Sequence, residues 1–290
     1  MRIREAIVAG RFYPSTRVGC EEAIAEMSAK LLPPSVNERV VGGLVPHAGW
    51  VYSGAVTANV FKTLAVRQVS VVVLVGGVHR YRGKEAALFG SGRWETPLGT
   101  VEVDDRLAER VLGHTNLIVD DPYAHEEEHS IEVQVPFVQH FFPGARILPI
   151  MVPARATAPE VGEAIGRTLT CYGYDALIIG TTDLTHYGPN YGFVPKGVGV
   201  EANRWAKDEN DRRFIDRVCS MQTQSLVSEA STHKNACSSG AAAATVAAAS
   251  KLAAKNGILL DQTCSSEMAS ELGESVSDDS VGYAGIVFIS

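Results

Sequence analysis

The sequence predicts one α/β domain over residues 1–290, with a central sheet, largely parallel or mixed, flanked by helices. Three observations carry that expectation. The run Val69-Ser70-Val71-Val72-Val73-Leu74-Val75 is apolar and mostly β-branched without alternation, the pattern of a strand buried on both faces. Strand-like and helical stretches alternate along most of the chain, with no internal repeat and no clear linker. The ending of the central run, Gly76-Gly77-Val78-His79, is echoed twice: by Val40-Val41-Gly42-Gly43-Leu44-Val45-Pro46-His47 and by residues 176–186, which end at His186. In open α/β sheets ligands sit beyond the carboxyl ends of the strands. The three histidines are therefore expected where such folds do their chemistry.

Taken in order, residues 1–18 contain Ala9-Gly10-Arg11-Phe12-Tyr13-Pro14, too aromatic for a loose tail. A helix is expected over 20–32, stopped by Pro33-Pro34. Residues 48–54, with Trp50 and Tyr52 between glycines, read as an aromatic loop before a helix over 55–64. Segments 86–90 and 99–103 alternate and are expected to form a hairpin or edge excursion through 94–98. Asp104-Asp105 can cap a helix reaching 112. Ile131, Val135, Val138 and Phe142 share one helical face, and Glu126, Glu127 and Glu128 lie at or before its start, where the helix dipole favours negative charge. A strand over 146–152, a helix over 159–171 and the third histidine strand continue the alternation. Residues 187–199, rich in Gly, Pro and aromatics, suit a wall or lid, and 201–218 reads as a charged surface helix. Residues 235–240 then lead into an alanine-rich helix to about 256, and 281–289 form the closing strand.

A net charge of −7, from 26 basic and 33 acidic residues, with no basic stripe, argues against a nucleic-acid partner. No apolar run reaches the roughly 20 residues of a membrane span, and residues 1–6 lack a signal-peptide core, so a cytoplasmic location is expected. Five scattered cysteines without a CxxC pair suit reduced thiols.

His47 and His79 each follow an apolar strand beside glycine, so both can face one crevice as ligand or base; the alternative is a loop imidazole bonded to nearby backbone. Asp183 and His186 form a carboxylate and base pair in a turn, in which Asp183 orients the imidazole or another ligand, or closes a local Asx-type turn. Cys237 stands at the start of the alanine-rich helix, where the dipole favours thiolate, a nucleophile and a soft metal ligand; the alternative is a small buried hydrophobe. His129 opens the Ile131 helix and can reach the crevice or bond the acidic turn. His114, His125, His140 and His233 read as ordinary loop or surface residues, and no phosphate loop or GxSxG elbow is present.

Several separated motifs occur in order: residues 9–13, Pro46-His47-Ala48-Gly49, Gly76-Gly77-Val78-His79, Glu128-His129-Ser130-Ile131-Glu132, Asp183-Leu184-Thr185-His186-Tyr187-Gly188, residues 235–237 and 279–284. Together they resemble the Memo family, whose microbial members are called AmmeMemoRadiSam system protein B, nearly end to end. The family is similar to the catalytic subunit of class III extradiol dioxygenases, which open catechol rings with non-haem Fe(II). The resemblance implies that single α/β fold, with His47, His79 and Cys237 as metal ligands, His186 as base and Asp183 beside it. Phe12 falls where some members carry tryptophan at the pocket mouth, and Trp50, Tyr52, His129 and Tyr187 complete the expected pocket. The enzymes place a carboxylate with their two histidines; a thiol there is softer, so Cu(I) and Zn(II) compete with the favoured Fe(II). The implied activity is a metal-dependent, dioxygenase-like oxidoreductase acting on a small, phenolic substrate. The alternatives are a peptide- or protein-binding module, or copper or iron handling, in the same crevice. AMMECR-like and radical-SAM partners are implied by the resemblance alone.

Overall fold

The unbroken apolar runs form strands covered on both sides. In this computed structural model, which describes residues 2–29, 38–273, 275 and 277–290, the first six strands are β1 (Ile3–Arg4), β2 (Val40–Val45), β3 (Val71–Gly76), β4 (Ala86–Leu88), β5 (Arg93–Thr96) and β6 (Gly99–Glu102). The others are β7 (Ile118–Asp120), β8 (Arg146–Met151), β9 (Ala176–Thr181), β10 (His186–Tyr187), β11 (Asn256–Cys264) and β12 (Ser280–Ile289). Among the described residues, nine strands form one mixed sheet in the order β10-β12-β2-β9-β3-β8-β4-β7, with β11 paired to β12. β2, β9, β3 and β8 run parallel, with Val73 level with Ile178 on one side and Leu148 on the other. Val71, Val73 and Val75 enter one core layer, while Val72 and Leu74 enter the other. With apolar packing on both faces, there is no solvent side to impose alternation.

The helices are α1 (Arg17–Ala29), α2 (Trp50–Leu64), α3 (Asp105–His114), α4 (Val135–Phe141) and α5 (Ala158–Cys171). They continue with α6 (Val200–Trp205), α7 (Arg212–Cys219), α8 (Leu226–His233), α9 (Ser239–Lys251) and α10 (Ser265–Glu271). α1, α2 and α4 supply the layer on one face of the sheet; α3, α5, α7, α8 and α9 supply the other. Asp104 caps α3 as expected, its side chain accepting from the Leu107 amide at 2.8 Å. Among the described residues, no helix is long and apolar enough to cross a membrane.

Local expectations fail where tertiary packing overrides propensity. Residues 50–54 are the first turns of α2 rather than a loop, and there Gly54 lies against Met27 of α1 where a Cβ would not fit. The expected hairpin or edge excursion splits: β4 enters the main sheet between β8 and the edge strand β7, while β5 and β6 pair in a small sheet with β1. α1 runs over 17–29, and the expected end of that helix at 30–34 lies outside the described residues. The charged stretch 201–218 is not wholly a surface helix. It contains a π-turn over Ala206–Asp211 that turns Asn210 and Asp211 inward, and α7 buries Phe214, Ile215 and Val218.

The alanine-rich α9 packs closely on α5. A Cβ on Gly162 would stand 1.9 Å from the Ala244 carbonyl oxygen, so only a bare backbone fits. Gly162→Ala should lower the free energy of unfolding by about 1–3 kcal/mol through overpacking, measured as a reduced urea midpoint at unchanged m-value.

Candidate metal centre

Three neighbouring parallel strands end along the same edge of the sheet. His47 follows β2, Asp183 follows β9 and His79 follows β3, in the spatial order β2-β9-β3. The fourth residue arrives from the other direction, because Cys237 sits in the turn just before the Ser238 cap of α9. Hydrogen bonds join that turn to the loop after β9. The Cys237 amide donates to the Asp183 carbonyl (3.1 Å), the Asp183 amide to the Cys237 sulfur (3.3 Å) and the Ser238 amide to Thr182 Oγ1 (3.0 Å). Gly77 makes this approach feasible, since a Cβ there would stand 1.8 Å from Ser238 Oγ. The glycine pair of β3 thus serves packing against the protein itself, rather than a sharp turn or a ligand.

The metal-binding atoms of His47, His79 and Cys237 lie within 4.8 Å of one another. His47 is buried, with Nε2 3.3 Å from the Cys237 sulfur and Nδ1 hydrogen-bonded to Thr181 Oγ1. His79 holds Glu128 with both its amide (2.8 Å) and Nδ1 (2.9 Å), which leaves Nε2 free for the cluster. Each imidazole therefore has one nitrogen fixed by a supporting group and the other directed at the sulfur, the usual second layer of a metal-ligating histidine. A second triplet, Asp183, His186 and Cys237, also keeps its ligand atoms within 4.8 Å. Each triplet is a donor set that could hold a metal ion.

Without an ion, the same atoms form an internal charge cluster. Burial pushes the Cys237 thiol up, but the charge and hydrogen bonds of His47 and His79 outweigh it and bring the thiol down to about 5. Burial lowers His47, yet Asp183 and the Cys237 sulfur carry it to about 9. Hydrogen bonds to Cys237 and Glu128 raise His79 to about 10. Glu128 is held well below the usual carboxylate range, because His79 and nearby amides overcome the cost of burial. The imidazoles, rather than the start of α9, supply the charge that favours thiolate. His129 stacks on His79 at 4.8 Å, and burial together with the His47 charge lowers it to about 4, so it stays neutral near pH 7.

The cluster opens into a cavity of about 590 Å³ whose lining includes Phe12, Tyr52, His129, Asp183 and His186. The structure thus gathers His47, His79, Cys237, Asp183, His186, Phe12, Tyr52 and His129. It does not bring Trp50 or Tyr187 to the cavity wall. Trp50 is buried beside Tyr13 and Phe137 with its indole donating to the Val133 carbonyl, and Tyr187 is buried with its hydroxyl bonded to Gly197. Asp183 serves His47 rather than His186. It accepts the His47 amide at 2.7 Å, and no hydrogen bond joins it to His186 among the described residues. His186 instead packs its ring on Tyr191 at 5.0 Å, and its buried Nε2 has no partner. His125, expected in a loop or at the surface, is fully buried between Phe89 and Trp94 and bonded to the Ala87 carbonyl.

Sequence reasoning missed Glu128, Thr181, Tyr191 and Asp279 as site residues. Glu128 stands out in the sequence as one of three adjacent acids and as the first residue of one shared motif, but nothing local says that it turns inward to hold His79. It also missed the buried support under the His186 loop. Asp211 accepts from the amide (2.9 Å) and hydroxyl of Thr185, and burial pushes its carboxyl up to about 7. Asn210 Nδ2 reaches Thr185 Oγ1 at 3.0 Å, and Asn235 Nδ2 reaches the Asn210 carbonyl at 2.9 Å, tying the π-turn to both site loops.

A mixed sheet between helices, with two imidazoles and a sulfur converging at its carboxyl edge, defines an α/β protein with a candidate metal centre. The chain belongs to the Memo family: the family model for Memo-like proteins matches residues 4–287. It is 34% identical to a MEMO1 family protein of Pyrobaculum arsenaticum, over 99% of each chain. It is 32% identical to one of Nitrosopumilus maritimus, over 99% of this chain and all of that one. Among solved structures it is similar to the uncharacterized protein JW3007 from Escherichia coli K12, with a TM-score of 0.51, 11% identity and coverage of 85% of this chain and 99% of that one. At that identity the likeness speaks for the fold alone.

In the metal-free protein, alkylation of Cys237 should rise with pH through a midpoint near 5, as the thiol loses its proton there. His47→Ala should move that midpoint upward, because the largest opposing charge is gone. Iodoacetamide rates followed site by site with mass spectrometry check both.

Proposed function

We propose that this protein is a metal-dependent, dioxygenase-like oxidoreductase acting on a small phenolic substrate, with one ion held by His47, His79 and Cys237. One observation carries the reading: these donor atoms converge within 4.8 Å of one another beside a cavity lined by His47, His79 and His186, and the buried Nε2 of His186 has no hydrogen-bond partner. Such an ion, when bound, supplies Lewis acidity and, if it is Fe(II), the electrons that dioxygen chemistry needs. Fe(II) is favoured by the resemblance, while the sulfur keeps Cu(I) and Zn(II) competitive.

The chain's own residues do the remainder. His186 Nε2 accepts the proton of a phenolic hydroxyl, and the Tyr191 ring holds that imidazole in place of the carboxylate expected from sequence. Asp183 acts on the ligand side of the site, anchoring the His47 amide and sharing its loop with the sulfur. Phe12 against His129, at 4.8 Å, forms an apolar wall that displaces water from the ring-binding space.

A second reading, a peptide-binding module, is supported by a groove of about 780 Å³ that adjoins this cavity at Phe12 and includes Tyr13, Met27, Trp50 and Leu272. An AMMECR-like or radical-SAM partner is a further proposal that rests on family resemblance alone.

His47→Ala and Cys237→Ala should each reduce stoichiometric metal, about one ion per chain, to a small fraction with unchanged circular dichroism. Elemental analysis of protein purified without oxygen checks this, and full metal in both variants removes the reading. His186→Gln should keep the metal while slowing catechol-dependent oxygen uptake by about 10²–10⁴-fold. No uptake by the Fe(II)-loaded protein with any catechol, alongside tight peptide binding, would favour the module.

A further inference from the structure

We infer that the outer part of this cavity selects ligands carrying a protonated amine and rejects those carrying a carboxylate or phosphate. The inference deepens the preceding reading, since it takes the same cavity as the substrate site. Among the described residues, no lysine or arginine lines the cavity. Glu274 and Val276, whose structure is not described, add no cation to that stretch of sequence. Arg11 belongs to the neighbouring groove, which shares only Phe12 with this cavity.

What lines the outer part instead is a carboxylate and two exposed phenol rings, Asp279, Tyr52 and Tyr191, with the buried Tyr283 in the wall behind them. Asp279 is anchored, with its two oxygens accepting from the backbone amide (3.0 Å) and side-chain amide (2.6 Å) of Asn190. Each carboxylate oxygen has a further lone pair for a donor from a ligand. Tyr191 lies in the field of that carboxylate: burial first, then the charges of Asp279 and Asp183, raise its phenol. The Tyr191 ring therefore stays neutral, and aromatic rings offer electron-rich faces to a cation. An ammonium placed here meets Asp279 and aromatic faces. A carboxylate or phosphate placed beside Asp279 meets like charge, and among the described residues no lysine or arginine lines the cavity to offset it.

The fit is polarised along the cavity. At its floor the ligands and His186 suit a phenolic oxygen, while the mouth suits a positive charge. A phenol bearing an aminoalkyl chain satisfies both ends, and one bearing an acidic chain satisfies only the first.

The test uses the full chain loaded with Zn(II), which binds without turnover, and titration calorimetry with two matched pairs. One pair is 3,4-dihydroxyphenethylamine and 3,4-dihydroxyphenylacetate; the other, lacking the chelating hydroxyls and titrated into the metal-free protein so that its carboxylate cannot ligate zinc, is phenethylamine and phenylacetate. The amine should bind roughly tenfold or more tightly than the acid in both pairs. Asp279→Asn should bring that ratio to within about threefold, and Tyr52→Leu, at an exposed position on the first turn of α2, should also reduce it. Equal or inverted affinities in the unaltered protein, a ratio unchanged in both variants, or no amine binding at all would overturn the inference. Oxygen uptake with Fe(II) separates the two readings. Amine preference without uptake leaves this inference standing and removes the oxidoreductase; uptake with equal use of the acid does the reverse.

Discussion

The sulfur of Cys237 is held against the imidazole of His47 by a few hydrogen bonds between two loops, and the candidate centre depends on that junction. One loop follows β9 and the other precedes α9, so residues more than fifty positions apart are set by backbone amides rather than by long side chains. Below the junction, the alanine and glycine contacts between α9 and α5 leave no slack along the helix. The sulfur's position is thus inherited from core packing. Side-chain entropy does little to blur it, because Cys has a single rotatable bond to its sulfur.

A second layer then fixes each ligand's direction. Thr181 and Glu128 occupy the Nδ1 atoms of His47 and His79, so both rings present the same nitrogen to the centre. The charges are graded as well. Two imidazoles are raised by their acidic neighbours, while the third, His129, is kept neutral by burial and by the charge of His47. An ion entering the cluster replaces protons already held between nitrogen and sulfur, so its uptake releases acid.

Much of the frame was legible in the sequence, and for a definite reason. Strands buried on both faces leave long apolar runs, and the residues just past them lie at the ligand-binding edge whatever the loops do. That placed His47, His79 and the Asp183–His186 turn at one edge, and the thiol's place before an alanine-rich helix marked Cys237. What failed to show were partnerships set by tertiary approach. Nothing near Asp183 says that it serves the His47 amide instead of His186, and nothing near Trp50 says that its ring turns into the core. Tyr187 and His125 are misleading in the same way, being polar or loop-like in context yet buried by packing. Residues 201–218 looked like a surface helix because their charges dominate the pattern, while the π-turn that buries Asn210 and Asp211 leaves no periodic trace.

β12 lies between β11 and β2, antiparallel to both, and its first residues bring Val281 and Tyr283 to the cavity wall. Every ligand of the candidate centre is encoded before it. During synthesis, donors and sulfur therefore emerge from the ribosome while one wall of their enclosure is still missing, and the strand that closes it must insert next to β2, made some 240 residues earlier. Long-range pairings of that kind form late in folding. The order of assembly keeps a nascent chain from presenting a finished cavity before its sheet is complete.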